Sequence, residues 1–152
     1  MLIKTHLAIT IFFILLLISS VEYKLIFVVF AILATYVPDI DSRFSTLGSK
    51  KIARILQFFT KHRGMIHSFT FLFVLTFLIA LFFPIASLGF FVGYASHLFA
   101  DSFTLDGIKP FYPSKVVSRG KVATGGVIEK GILVVFVVLD VALGIGKIAS
   151  VF

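Results

Sequence analysis

The residues able to do chemistry in this sequence are four histidines, His6, His62, His67 and His97, and the aspartates Asp39, Asp41 and Asp101. His97 and Asp101 stand at i and i+4, so both side chains leave one face of a helix and can reach a single metal ion. Pro38 helps to end the helix before it, which leaves Asp39 and Asp41 on turning backbone that can aim carboxylates inward. His62-Arg63-Gly64 offers an imidazole, a guanidinium and a flexible residue in succession. At helical spacing His62 and His67 lie about 140° apart, so they need not share a role. Imidazoles and carboxylates in a chain without cysteine suit zinc, manganese or iron, with zinc the default for a hydrolase of this ligand mix. His6, Asp39, His62, His67, His97 and Asp101 exceed what one tetrahedral ion uses. Two ions about 3.5–4 Å apart would use them better, an arrangement suited to phosphoester hydrolysis.

Taken singly, each group has an ordinary explanation. A histidine at a membrane interface is usually a hydrogen-bonded polar cap, and an aspartate at a helix end beside basic loops is usually a solvated counter-charge. His97 with Asp101 can be a structural hydrogen bond. The convergence of six such groups from separate segments is what points to a metal site.

The elements that must bring them together lie in lipid. Hydrophobic residues make up 59% of the 152-residue chain, charged residues only 14%, and twenty residues are phenylalanine. Soluble domains carry roughly 25% charge, so these figures exclude a soluble, disordered, coiled-coil or disulfide-framed fold. The expectation is one membrane-embedded all-α domain over residues 1–152. Charge-free stretches mark its spans, because charge at the bilayer centre is costly. Thr5 to Val21 and Leu25 to Pro38 are the first two; Gly64 to Ala100 holds two more, with the hairpin at Pro84 and Gly89; Gly131 to Phe152, interrupted by Asp140 and Lys147, is the last. The sequence thus predicts a polytopic bundle of about five transmembrane helices. Ser49 to Lys61 adds one interfacial amphipathic helix, with Ile52, Ile55, Leu56 and Phe59 on one side and Lys50, Lys51, Arg54 and Lys61 on the other. A connecting helix floated at the interface is its simplest reading, lipid-headgroup recognition the functional one.

Twelve of the fourteen Lys and Arg residues fall on one side of this arrangement, all but Lys24 and Lys147. The positive-inside rule makes that side cytoplasmic, placing the N-terminus and the ligand cluster inside and the C-terminus outside a cell (inner) membrane. The net charge of +7 is then a topology signal, and nucleic acid is not an expected partner. A cleaved signal peptide at the first stretch is the alternative, but it would discard His6. Glu129 opens the last helix, where an acid is favoured by the helix N-terminus, although it can also serve as a ligand. Asp140 lies about 15 Å deeper and is a functional or hydrogen-bonded intramembrane acid. Asp106 reads as a turn residue.

These motifs together carry a resemblance. Thr5-His6, Pro38-Asp39-Ile40-Asp41-Ser42, His62-Arg63-Gly64 with His67-Ser68, and Gly93-Tyr94-Ala95-Ser96-His97-Leu98 running into Asp101-Ser102 resemble the YdjM-like, or LexA-binding, inner-membrane metal-dependent hydrolases. Thr104, Gly107 and the Pro113 turn continue the pattern, while Ile66 and the lack of a glycine close after His6 depart from it. That family is itself similar to the zinc-dependent phospholipase C and single-strand nuclease superfamily. The resemblance implies His6, Asp39, His62, His97 and Asp101 as metal ligands, with His67 a further ligand or a supporting residue, and it implies hydrolase activity. The expected reaction is cleavage of a phosphoester in a lipid headgroup by metal-activated water at the cytoplasmic leaflet. Arg63 would hold phosphate oxygens bidentately, and Asp41 would act as general base or orient a histidine. A non-catalytic protein with a structural metal and a metal-ion or solute transporter are the competing expectations. Transport fits less well, since no internal repeat is visible and the ligands gather at one face.

Overall fold

The computed structural model describes residues 1–41 and 64–149, with side chains in the first segment as far as Asp39. Within them the fold is all-α, as expected. Five helices form: α1 Ile3–Leu17, α2 Lys24–Thr35, α3 Phe69–Phe82, α4 Pro84–Ser102 and α5 Val127–Ala149. A 3₁₀ turn, Ile18–Ser20, extends α1, and a second, Pro38–Asp41, follows α2. The interfacial helix expected over Ser49 to Lys61 lies outside the described residues.

Local chemistry sets the ends. Ser68 caps α3 by accepting from the Phe71 N–H at 3.2 Å. Pro84 occupies the first turn of α4, where its missing N–H costs nothing. The hairpin between α3 and α4 therefore turns at Phe83-Pro84. Gly89 is not part of it, contrary to expectation; it sits inside α4 against α2. A Cβ at Gly89 would press on the Phe27 backbone, and one at Gly93 would fall on the carbonyl of Ala31. Gly89 and Gly93 are thus a small-xxx-small pair that lets two helix backbones approach closely, the device lipid-embedded helices use where no hydrophobic gain separates one apolar neighbour from another.

α4 is the hub, packed against α1, α2 and α3, while α5 lies on α1. The core around α4 gathers Ile66, Leu72, Phe90, Tyr94, Leu98 and Ile108, and a smaller one joins Ile14, Phe27 and Ala31. Along α5 only Glu129 is buried, and Val134, Val138, Val141 and Ile145 are exposed. An apolar face of that extent is unsuited to water and suited to lipid.

Helix length qualifies the expected topology. Ile3–Ser20 and Val127–Ala149 are long and apolar enough to cross a membrane. α2 and α3, with 12 and 14 residues, are only about 18 and 21 Å long, short of a hydrocarbon core of about 30 Å.

Gly93→Ala should cost about 1–3 kcal/mol by overpacking and lower the Tm of the detergent-solubilised protein. Gly144→Ala, whose Cβ meets open space, should leave Tm unchanged or slightly higher. Equal Tm values for the two variants would rule out close α2–α4 packing.

Candidate metal centre

Successive helices alternate in direction, so the start of α1, the end of α2, the start of α3, the end of α4 and the start of α5 meet at one end of the bundle. His6 comes from the second turn of α1, Asp39 from the turn after α2, His67 from just before α3, and His97 and Asp101 from the last turns of α4. All three histidines are fully buried; Asp39, with a side chain 21% exposed, is the accessible member.

Asp101 is the meeting point. One carboxylate oxygen lies 3.4 Å from His6 Nε2 and accepts from the Met1 amine at 2.6 Å; the other lies 3.8 Å from both His67 Nε2 and His97 Nε2. His97 Nε2 is also 3.8 Å from Asp39 Oδ1. Two overlapping triads result, His6–His97–Asp101 and Asp39–His67–His97, each with one ligand atom per residue within 4.8 Å of the others. His97 belongs to both.

The state of His97 follows from its partners. Its Nδ1 lies 2.7 Å from the Thr35 carbonyl oxygen, which can only accept, so Nδ1 carries the proton. The Nε2 lone pair then faces two carboxylates at distances too long for a hydrogen bond, and among the described residues it has no hydrogen-bond partner. The His6 ring stacks on His97 at 3.8 Å and 1° between planes. A cation between Nε2 and the carboxylates resolves the arrangement. A backbone carbonyl holding the far nitrogen of a ligating imidazole is the usual way to fix its tautomer and aim. The residues present therefore fit a divalent metal. Burial holds the Asp39 carboxyl above the ordinary carboxylate range, with His6 and His67 opposing that rise.

The supporting residues were less visible in the sequence. Thr10 of α1, Thr35 of α2 and Ser96 of α4 meet below the imidazoles, with Thr10 Oγ1 2.9 Å from Thr35 Oγ1 and 2.7 Å from Ser96 Oγ. The Tyr94 hydroxyl donates to the Ile66 carbonyl at 2.6 Å and fixes the residue beside His67. Glu129 accepts from the Leu2 N–H and from Thr5 Oγ1 through one oxygen and from the Gly125 N–H through the other, all away from the triads. It fastens the start of α1 to the start of α5. Asp140, half-buried on α5, stands apart from the cluster, and Asp106 lies in the bend before Gly107. Thr104 Oγ1 donates to the Asp101 carbonyl and accepts from the Gly107 N–H, which ends α4 just after Asp101. His62 and Arg63 lie outside the described residues. Asp41 belongs to the turn Pro38–Asp41, and its side chain is likewise outside them.

The family model described as YdjM inner membrane protein matches residues 1–150. The chain belongs to the YdjM inner membrane protein family. A YdjM protein is a membrane protein, which accords with the lipid-suited surface of α5. One curated relative, the uncharacterized protein YvsG of Bacillus subtilis (strain 168), is 31% identical over 87 residues, or 55% of this chain and 54% of that protein. The chain thus spans about half the length of the curated relative it matches. No solved structure matches.

Glu129→Gln leaves one acceptor oxygen for donors that now meet two, so it should cost about 1.5–3 kcal/mol of stability. By loosening the segment that carries His6 it should weaken metal affinity about 10-fold or more, as loss of a supporting hydrogen bond does. Metal titration and thermal unfolding check both effects, and unchanged values would refute the fastening role.

Proposed function

We propose that this YdjM protein is a metal-dependent hydrolase that cleaves a phosphoester of a lipid or lipid-linked substrate at the cytoplasmic membrane face. The observation that carries the reading is the buried donor set at one end of a lipid-embedded bundle, with the His97 Nε2 lone pair aimed at two carboxylates. Zinc suits imidazole and carboxylate donors best, with manganese or iron as alternatives; two overlapping triads offer room for one ion or two. Held by these residues, a divalent ion would supply Lewis-acid charge and a water acidified toward neutral pH.

The chain's own residues supply the rest. His6, His67, His97, Asp39 and Asp101 hold the ion, while the Thr35 carbonyl keeps His97 in the ligating tautomer. The exposure of Asp39 puts the open side of the site beside the turn Pro38–Asp41, so a headgroup enters there. Asp41, in that turn, would take the proton or orient a histidine. Arg63 and His62 would complete the site from the segment before α3, the guanidinium holding phosphate oxygens bidentately. The one-sided basic residues support five spans with this end inside the cell. A site at headgroup level spares the lipid from leaving the bilayer.

Burial favours a second reading, a closed structural metal that only ties the helices together. Metal content and cobalt substitution separate the two. Elemental analysis of detergent-purified protein should give about one to two equivalents of divalent metal, lost in the His97→Ala, Asp101→Ala double variant. Added phosphate should shift the visible spectrum of the cobalt form if a coordination position is open. Hydrolysis of phospholipids or a chromogenic phosphodiester should stop on chelation. Folded protein that takes up no metal would end both readings; a phosphate-insensitive cobalt spectrum with no hydrolysis would leave the structural one.

A further inference from the structure

Beside the metal centre the bundle carries an apolar groove of about 360 Å³ between α1, α3 and α4. Phe69 and Phe99 line it close to His67 and His97, at the level of the cluster. Leu17 and Phe91 line it deeper, about 16 Å along α1 from His6 and about 9 Å along α4 from His97. The groove therefore runs down the bundle axis, from the polar end into the lipid-embedded length. Its floor is Ala95 and Ser96, whose small side chains leave the space between Phe91 and Phe99. The Ser96 hydroxyl already donates to the Gly93 carbonyl at 2.9 Å and meets Thr10, so the floor offers a ligand no polar group.

An occupant must be apolar, elongated and aligned across the membrane. At the polar end, Lys4, Lys115, Arg119, Lys121 and Lys130 are exposed. That charge complements an anionic headgroup. An anion above and an apolar slot below, in line, describe an amphiphile. We propose that the groove is an acyl-chain site that takes one chain of an anionic phospholipid whose headgroup lies at the histidine–aspartate centre. The placement of the headgroup rests on the hydrolase reading; the acyl-chain site does not.

The test uses the intact chain in vesicles of phosphatidylethanolamine and phosphatidylglycerol. A small fraction of phosphatidylglycerol carries a photoactivatable diazirine along one acyl chain, and labelled positions are mapped by mass spectrometry. Label should concentrate on the half-buried groove residues Phe13, Phe91 and Val92 over Val134 and Val138, which are exposed on α5. Ala95→Trp should cut the groove label about tenfold, the weight of roughly two buried methylenes, with α5 label and metal content unchanged. If Ala95→Trp does not fold, Ala95→Leu takes its place with a smaller loss in the same direction. Equal labelling of groove and α5, groove labelling untouched by either variant, or a groove covered by a second copy of the chain would overturn the proposal. Labelling needs no turnover. A labelled groove in a protein inactive on every phosphoester would sink only the hydrolase reading, and an active protein with an unlabelled groove only this one.

Discussion

Gly89 and Gly93 let the backbone of α4 lie against Phe27 and Ala31 of α2, and that approach decides where the histidine one turn further on can point. With larger residues at either position the helices would separate, and His97 Nδ1 would no longer reach the Thr35 carbonyl. The tautomer of His97 would then be unspecified, and its Nε2 would have no fixed aim. Both triads run through this one imidazole, so the geometry of the whole cluster depends on a backbone contact made well below it. In lipid such contact is gained through packing and interhelical hydrogen bonds, since tails offer side chains as apolar a setting as a neighbouring helix does.

The hydroxyls of Thr10, Thr35 and Ser96 extend the same logic to α1. Each comes from a different helix, and each is buried in the bundle. Interhelical hydrogen bonds in membranes average about 0.6 kcal/mol, so their contribution is more to register than to stability. Here the register matters because Thr10 lies one turn after His6 on α1. Holding Thr10 against α2 and α4 holds the His6 ring flat on His97.

The residues that gather at this end were legible in the sequence because polar groups at the ends of apolar helices stand out against their surroundings. His6, Asp39, His67, His97 and Asp101 came from that contrast, and alternation of helix direction brought them to one end. The element that orients His97 was not legible, since a backbone carbonyl has no residue type to mark it. The GFFVG stretch did hold a readable sign of close packing, but proximity to Pro84 made Gly89 look like part of a turn. Glu129 was legible as an acid favoured at a helix start. Its partners on α1 are distant in sequence, so no local pattern could have named them.

The same separation bears on how the protein is made. Thr5 and Glu129 are 124 residues apart, and Met1 reaches Asp101 across 100. A chain emerging from the ribosome holds His6 early but has no Asp101 to face it until α4 is nearly complete. The start of α1 is not fastened until the final helix has begun to insert. Assembly of the cluster is therefore a late event in biosynthesis, and a truncated chain ending before α5 would carry His6, Asp39, His67, His97 and Asp101 with the start of α1 unsecured.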